Sequence, residues 1–370
     1  MPRRLDNLTA LRFFAALSVF LHHLKTFGLN LSESVWNVNL GFTVSFFFVL
    51  SGFVLSYSYD GRIGTPGDAG RFIVVRFLRL WPLHMVCGAL ALVLIGIPPD
   101  TTVAQVMLFV TLLHAWVPSY DTAFFLNPVS WSISVELFFY VTFALLLAQG
   151  ARLRLGVMAA WVLAVVALAL FVSWSPAALP FSRETGANGL PSGVASRSFF
   201  HLFPPVRIVE FFAGMATYSL YTRVRIPERF VAAAQLACIV LVALYLPQHK
   251  QIRDFLREFG PSVFAQSYVQ SGVFPLFAFV VYVFAHQHGL VSKALSTPVL
   301  VLLGNVSFAF YMIHQIVITV LARQAVPAAW GATAAAALAF VLSVAAAWVL
   351  YRAVELPALA WAKRTFARRN

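Results

Sequence analysis

The chain has 370 residues, 61% of them hydrophobic and only 11% charged, with a mean hydropathy of +0.83. A soluble domain is about half apolar and a quarter charged, so this composition excludes one and fits an integral membrane protein. The net charge of +13 would suggest nucleic acid in a soluble chain. Here the lysines and arginines lie in short turns between apolar runs, where they set orientation, and no nucleic-acid partner is read from them.

Apolar runs recur at 7–27, 40–59, 79–97, 130–149, 155–173, 205–222, 230–247, 268–286, 298–321 and 328–353, with a weaker one at 103–118. The expected fold class is all-α: a polytopic membrane bundle of about ten transmembrane helices, forming one domain over 1–370. If 103–118 crossed the bilayer, the turns holding Arg152, Arg154, Arg223, Arg225 and Arg229 would face outside. If it does not, they join Arg3, Arg4, Arg62, Arg71, Arg76, Arg79, Lys293 and the tail "WAKRTFARRN" in the cytoplasm. The second topology is expected, with both termini cytoplasmic in the cell (inner or plasma) membrane. Segment 103–130 is then a re-entrant or interfacial excursion, which a bilayer tolerates only where protein or a watery cavity covers it.

The N-terminus "MPRRLDNLTALRFF" lacks a small-residue cleavage site after its apolar stretch, so the first run is expected to be retained as a helix. Two long connections, 174–204 and 248–267, fall outside on this topology; the first is rich in Gly, Pro and Ser, and the second carries a short amphipathic helix pattern. No inverted repeat of the transporter kind is visible. Cys87 and Cys238 lie within apolar runs and read as small core residues.

Ionisable groups inside spans are costly and mark functional sites by default. In the first run, Arg12 and His23 are eleven positions apart. On a regular helix they end about 20° apart in azimuth and roughly 16 Å apart along the axis. They share a face, while His22 is rotated about 100° away and is expected to look elsewhere. The alternative is that Arg12 and His23 snorkel to opposite headgroup layers.

"RFIVVRFLRLWPLH" places Arg76 and Arg79 at i, i+3 just before the third span, a fork suited to phosphate or, alternatively, an ordinary positive-inside anchor. "NPVSWSISVELFFYV" puts Glu136 in apolar company, where it is expected to pair with an arginine or histidine. Arg207 and Glu210 form an i, i+3 pair that reads as structural. Tyr311 and His314 share a face in "GNVSFAFYMIHQIV" and are assigned to substrate binding, a satisfied structural histidine being the alternative. Glu355 reads as a helix-end partner of Arg352.

Taken in order, these segments resemble the membrane acyltransferase family 3. The likeness runs from "LDNLTALRFFAALSVFLHHL", with the family's Arg-x10-His as Arg12 and His23, through "GFTVSFFFVLSGFVLS" and "RFLRLWPLH", with its Arg-x-x-Arg as Arg76 and Arg79. It continues through "WSISVELFFY", "RIVEFFAGM" and "SFAFYMIHQ" to "VELP". One departure is Thr9-Ala10, where many members carry a glycine-containing turn beside the arginine, which bears on how closely the first helix packs.

The resemblance implies an acetyl-CoA donor, a carbohydrate acceptor, no metal, a catalytic role for His23, and roles for Arg12, Arg76, Arg79 and Glu136 in donor binding or site organisation. On this reading His23 is the general base, Arg76 and Arg79 hold the phosphates of CoA, and Arg12 holds donor phosphate or stabilises charge. Glu136 orients His23 or neutralises an arginine. A covalent acetyl-histidine relay is a variant of the same scheme. The competing classes are a transporter or flippase for a lipid-linked sugar, which would use the same charges as a pathway, and a non-catalytic assembly or anchoring protein. Neither the acceptor sugar nor the oligomeric state is legible.

Overall fold

The computed structural model describes residues 4–29, 40–175, 193–259 and 271–366, and no strand occurs among them. A helix occupies each of the ten apolar runs. They are α1 (Asp6–His23), α2 (Val44–Tyr59), α3 (Pro66–Leu94), α4 (Trp131–Leu147), α5 (Ala151–Trp174), α6 (Pro204–Arg223), α7 (Glu228–Phe259), α8 (Phe274–Phe284), α9 (Pro298–Arg323) and α10 (Ala332–Leu350). A π-helical turn, Tyr351–Glu355, leads from α10 into α11 (Leu356–Phe366).

Among the described residues, 7 stretches are long and apolar enough to cross a membrane: those of α2 to α5, α7, α9, and α10 with its continuation. The expected count of about ten is thus met by helices but not by ten spans of that quality. α1 and α6 are too polar, because they carry Arg12 and the Arg207–Glu210 pair inward. α8 is only 11 residues long, and the start of its run, 268–270, lies outside the described residues.

The third helix starts well before the apolar run that marks it. Thr65 caps it by accepting from the Asp68 N–H, and Pro66 supplies a preset first residue. The 29-residue helix is about 43 Å long, more than a hydrocarbon core of about 30 Å. Arg76 and Arg79, expected on a helix just before the third span, therefore lie on the same continuous helix as that span. The amphipathic pattern after 248 continues α7 as far as Phe259. Within 174–204, Ser196–Leu202 is helical, whereas 176–192 lies outside the described residues.

Segment 103–130 contains no helix longer than the 8 residues of Val103–Val110, too short to cross. Side chains from the bundle satisfy its non-helical backbone. Trp81 Nε1 and His84 Nε2 donate to the carbonyls of Val110 and Phe109, at 2.8 and 2.9 Å. The Ser134 hydroxyl donates to Leu112 O at 2.7 Å. A non-helical stretch at membrane depth requires this kind of cover.

Burial separates an inner from an outer ring. The spanning windows of α2, α4 and α9 are 72%, 67% and 67% buried, against 17% for α5 and α7, whose exposed leucines, valines and isoleucines face lipid. Two close parallel pairs form the centre. In one, Ser45 of α2 meets Arg207 of α6, and Phe53 meets Tyr218 and Tyr221. Gly52 faces the Phe211 carbonyl and Gly214 faces that of Val49, so any Cβ there would overlap backbone. In the other pair, Phe13 of α1 meets Phe310 of α9, and a Cβ on Gly304 would strike the Thr9 carbonyl. The glycine that α1 lacks beside its arginine is thus supplied by α9, and the packing stays close.

Candidate active site

α1, α2, α3, α4 and α9 enclose a narrow cavity of about 100 Å³ whose walls include Arg12, Arg76, Arg79, Glu136, Tyr140 and Tyr311. Arg76 lies over the rings of Tyr59, Phe72 and Tyr140, 5.2, 5.5 and 5.7 Å from their centroids. This cation–π cradle orients the guanidinium without using its hydrogens. Its Nε is buried without a hydrogen-bond partner. Among the described residues none of the three guanidiniums forms an ion pair within 4.0 Å.

Two carboxylates face these arginines. Glu136 Oε1 accepts from the Ser51 hydroxyl at 3.1 Å and the Tyr140 hydroxyl at 2.5 Å. Its direct partners are therefore hydroxyls, not the arginine or histidine expected from sequence, and it acts on the arginines across the cavity. The second carboxylate, Glu355, was not legible. Sequence pairs it with Arg352, but Arg352 lies 5.6 Å over the Trp348 ring, whereas Glu355 is 4% exposed and acts electrostatically on Arg79 and Arg12. The π-helical turn, a feature common at functional sites, carries it there. Three guanidiniums line the chamber against one lining carboxylate, Glu136, with Glu355 outside its walls, so positive charge is in excess and the chamber is ready for an anion.

His23 stands at the other end of α1, in a cavity of about 210 Å³ lined also by His22, Tyr120, Trp131, Arg197 and His201. The expectation that His22 looks elsewhere fails: the α-helix ends at His23, and both rings border the space beyond it. Val44 and Tyr311 line both cavities, so the two chambers adjoin. The Tyr311 hydroxyl is taken by Ser132 at 2.9 Å and the Val129 carbonyl at 3.2 Å, leaving its ring as the shared wall.

The neighbour of His23 is His314, not Glu136. His23 Nδ1 lies 2.9 Å from His314 Nε2, and the rings are stacked. His314 Nδ1 is 2.7 Å from the Tyr311 carbonyl and 3.2 Å from that of Phe310. A carbonyl only accepts, so His314 Nδ1 carries a proton and its neutral Nε2 is an acceptor. His23 Nδ1 must then donate, which leaves the lone pair of His23 on Nε2, with no partner among the described residues. His314 itself is fully buried and borders neither cavity, so the substrate-binding assignment gives way to one in which it holds His23.

Arg207 and Glu210 form a separate, closed unit. The pair is bidentate, at 2.7 and 2.9 Å, with both side chains at most 1% exposed. Arg207 also donates to the His201 carbonyl at 2.7 Å and lies over the rings of Phe48 and Trp131. With every guanidinium nitrogen hydrogen-bonded and neither side chain lining the two chambers, this pair is structural.

The fold and site define a multi-pass membrane protein with a cationic chamber adjoining a cavity lined by His23, whose Nε2 has no hydrogen-bond partner among the described residues. Residues 5–352 match the acyltransferase domain of the membrane acyltransferase family 3, and the chain belongs to that family. It is therefore an acyltransferase. It is 31% identical to the acyltransferase MdmB of Streptomyces mycarofaciens, over 96% of this chain and 92% of that one. It is also 27% identical to the exopolysaccharide production protein ExoZ of Rhizobium meliloti, over 88% and 90% of the two chains. With nodulation protein 10 of Rhizobium leguminosarum bv. viciae it shares 27% identity over 60% and 66%. No solved structure matches the chain.

Proposed function

We propose that the protein is a membrane O-acetyltransferase that moves an acetyl group from cytoplasmic acetyl-CoA to a hydroxyl of a carbohydrate, an exopolysaccharide, lipopolysaccharide or lipid-linked sugar. The observation that carries the proposal is the hydrogen-bond order Tyr311 carbonyl, His314, His23, which presents His23 Nε2 as a base on the far side of the arginine chamber. The resemblance of the chain to a protein named for exopolysaccharide production supports the acceptor class.

In this mechanism Arg76, Arg79 and Arg12 bind the phosphates of CoA, with Glu136 and Glu355 keeping like charges tolerable before the donor arrives. The pantetheine arm runs past Tyr311 and delivers the thioester to His23. His23 Nε2 takes the proton of the acceptor hydroxyl as its oxygen bonds to the acetyl carbon. The tetrahedral intermediate then collapses with cleavage of the C–S bond, and the proton passes to the leaving thiolate, giving an acetyl ester and free CoA. His314 is a positioning residue, holding the imidazole in the tautomer that makes Nε2 the acceptor.

Both termini are cytoplasmic in this scheme, the membrane is the cell (inner or plasma) membrane, and the acceptor enters from the opposite face. Mass spectrometry of surface glycans tests the function. Cells with the intact protein should carry one acetyl unit more per acceptor site than cells without it, and identical spectra would refute the proposal.

A further inference from the structure

A larger cavity, of about 530 Å³, opens where the turn after α2, the start of α3 and α11 meet, and its walls include Tyr59, Arg62, Arg71, Phe72, Lys363 and Phe366. Arg62, Arg71 and Lys363 are exposed, and among the described residues none of them forms an ion pair. Asp68, also in the wall, is engaged at the start of α3, where the Thr65 hydroxyl donates to it at 2.8 Å. Tyr59 and Phe72 stand edge to face at 4.9 Å, and Arg76 of the arginine chamber lies over both rings. This aromatic pair lines the larger cavity, and Arg76, which lies over it, lines the arginine chamber. Arg71, Arg76 and Arg79 then climb α3 by about 12 Å in all.

That order matches a ligand with a phosphorylated nucleoside at one end, a diphosphate next and an uncharged arm beyond. We propose that this cavity takes the 3′-phosphoadenosine end of the acyl-CoA donor, with Arg62, Arg71 and Lys363 binding the 3′-phosphate and the Tyr59 and Phe366 rings offering the base a stacking surface. The inference rests on the donor assigned under the proposed function and extends it to a second set of residues, outside the chamber. The phosphate of an anionic lipid headgroup shares this chemistry, and the experiment separates the two sources.

The full-length protein in phosphatidylcholine nanodiscs is titrated with acetyl-CoA and with acetyl-dephospho-CoA, which lacks only the 3′-phosphate. Charge-assisted contacts of this kind lead us to expect acetyl-CoA to bind on the order of 10- to 100-fold more tightly. In Arg71→Gln and Lys363→Gln, exposed positions where folding is not at stake, weaker acetyl-CoA binding should shrink that ratio while acetyl-dephospho-CoA binding stays as it was. Equal binding of the two thioesters by the wild type, or an unchanged ratio in both variants, would overturn the assignment and leave the donor reading standing. Loss of acetyl-CoA binding on adding phosphatidylglycerol, with no selectivity in its absence, would give the cations to lipid. If neither thioester binds, the donor reading fails and this inference falls with it.

Discussion

The spacing of Arg12 and His23, whose side chains line separate, adjoining cavities, could be read from the sequence because α1 is regular between them. Partners brought from other helices could not. That Glu136 meets Ser51 and Tyr140, that Glu355 turns toward Arg79, and that His314 backs His23 depend on how the helices pack, which no single run encodes. Two predictions belong at this scale. His314→Phe keeps a ring of similar size but removes the acceptor for His23 Nδ1. It should lower kcat about 10- to 100-fold while leaving the KM for acetyl-CoA unchanged, because a positioned base is disturbed and a donor site is not. Steady-state kinetics on the purified variant check it, and a raised donor KM with unchanged kcat would place His314 elsewhere in the reaction. Arg79→Gln should do the reverse, raising the donor KM on the order of 10-fold or more with kcat largely kept, since it removes charge-assisted bonds to phosphate.

The pairing of α2 with α6 was not visible in the sequence, although its components were. Gly52 and Gly214 look like ordinary small residues in apolar runs, and only the crossing shows each against the other helix's carbonyl. Gly214→Leu should force the backbones apart at a cost of about 1–3 kcal/mol or more, read as earlier thermal unfolding in detergent. An unshifted transition would mean that the pair is not held by backbone contact. Arg207 and Glu210 were legible as an i, i+3 pair, and the structure adds why they are structural: both are buried, they border neither chamber, and every guanidinium nitrogen of Arg207 is hydrogen-bonded. Arg207→Met alone should cost about 3–5 kcal/mol, because it strands a buried carboxylate, whereas Arg207→Met with Glu210→Met should recover much of that loss. A double variant as unstable as the sum of the two singles would show that the groups do not act as a pair.

Across the whole molecule, apolar run length identified the helices well and their ends poorly. The start of α3 at Pro66 was missed because its first turns are polar and exposed, and the polarity of α1 and α6 is the mark of what they carry into the bundle. Segment 103–130 was read as not crossing from charge balance rather than from its own hydropathy, and its longest helix, of 8 residues, is too short to span a bilayer. The proposed sidedness rests on the same balance and can be tested residue by residue, since both native cysteines are buried. Cysteines placed at Arg154 and Lys293 should react with a membrane-impermeant maleimide only after the cells are opened, and one at Arg197 should react in intact cells. Labelling of Lys293→Cys in intact cells would reverse the orientation and remove CoA from the arginine chamber.

The most direct test of the account is acetyl transfer itself with the imidazole removed. Membranes containing equal amounts of wild-type protein or His23→Ala, with folding matched by thermal unfolding, are supplied with labelled acetyl-CoA, and the label reaching surface glycan is followed over time. A base working alone in this position contributes about 10²- to 10⁴-fold, so label in the variant should stay at or near background. Transfer at the wild-type rate would contradict the assignment of His23, and with it the order of donor, base and acceptor through the bundle.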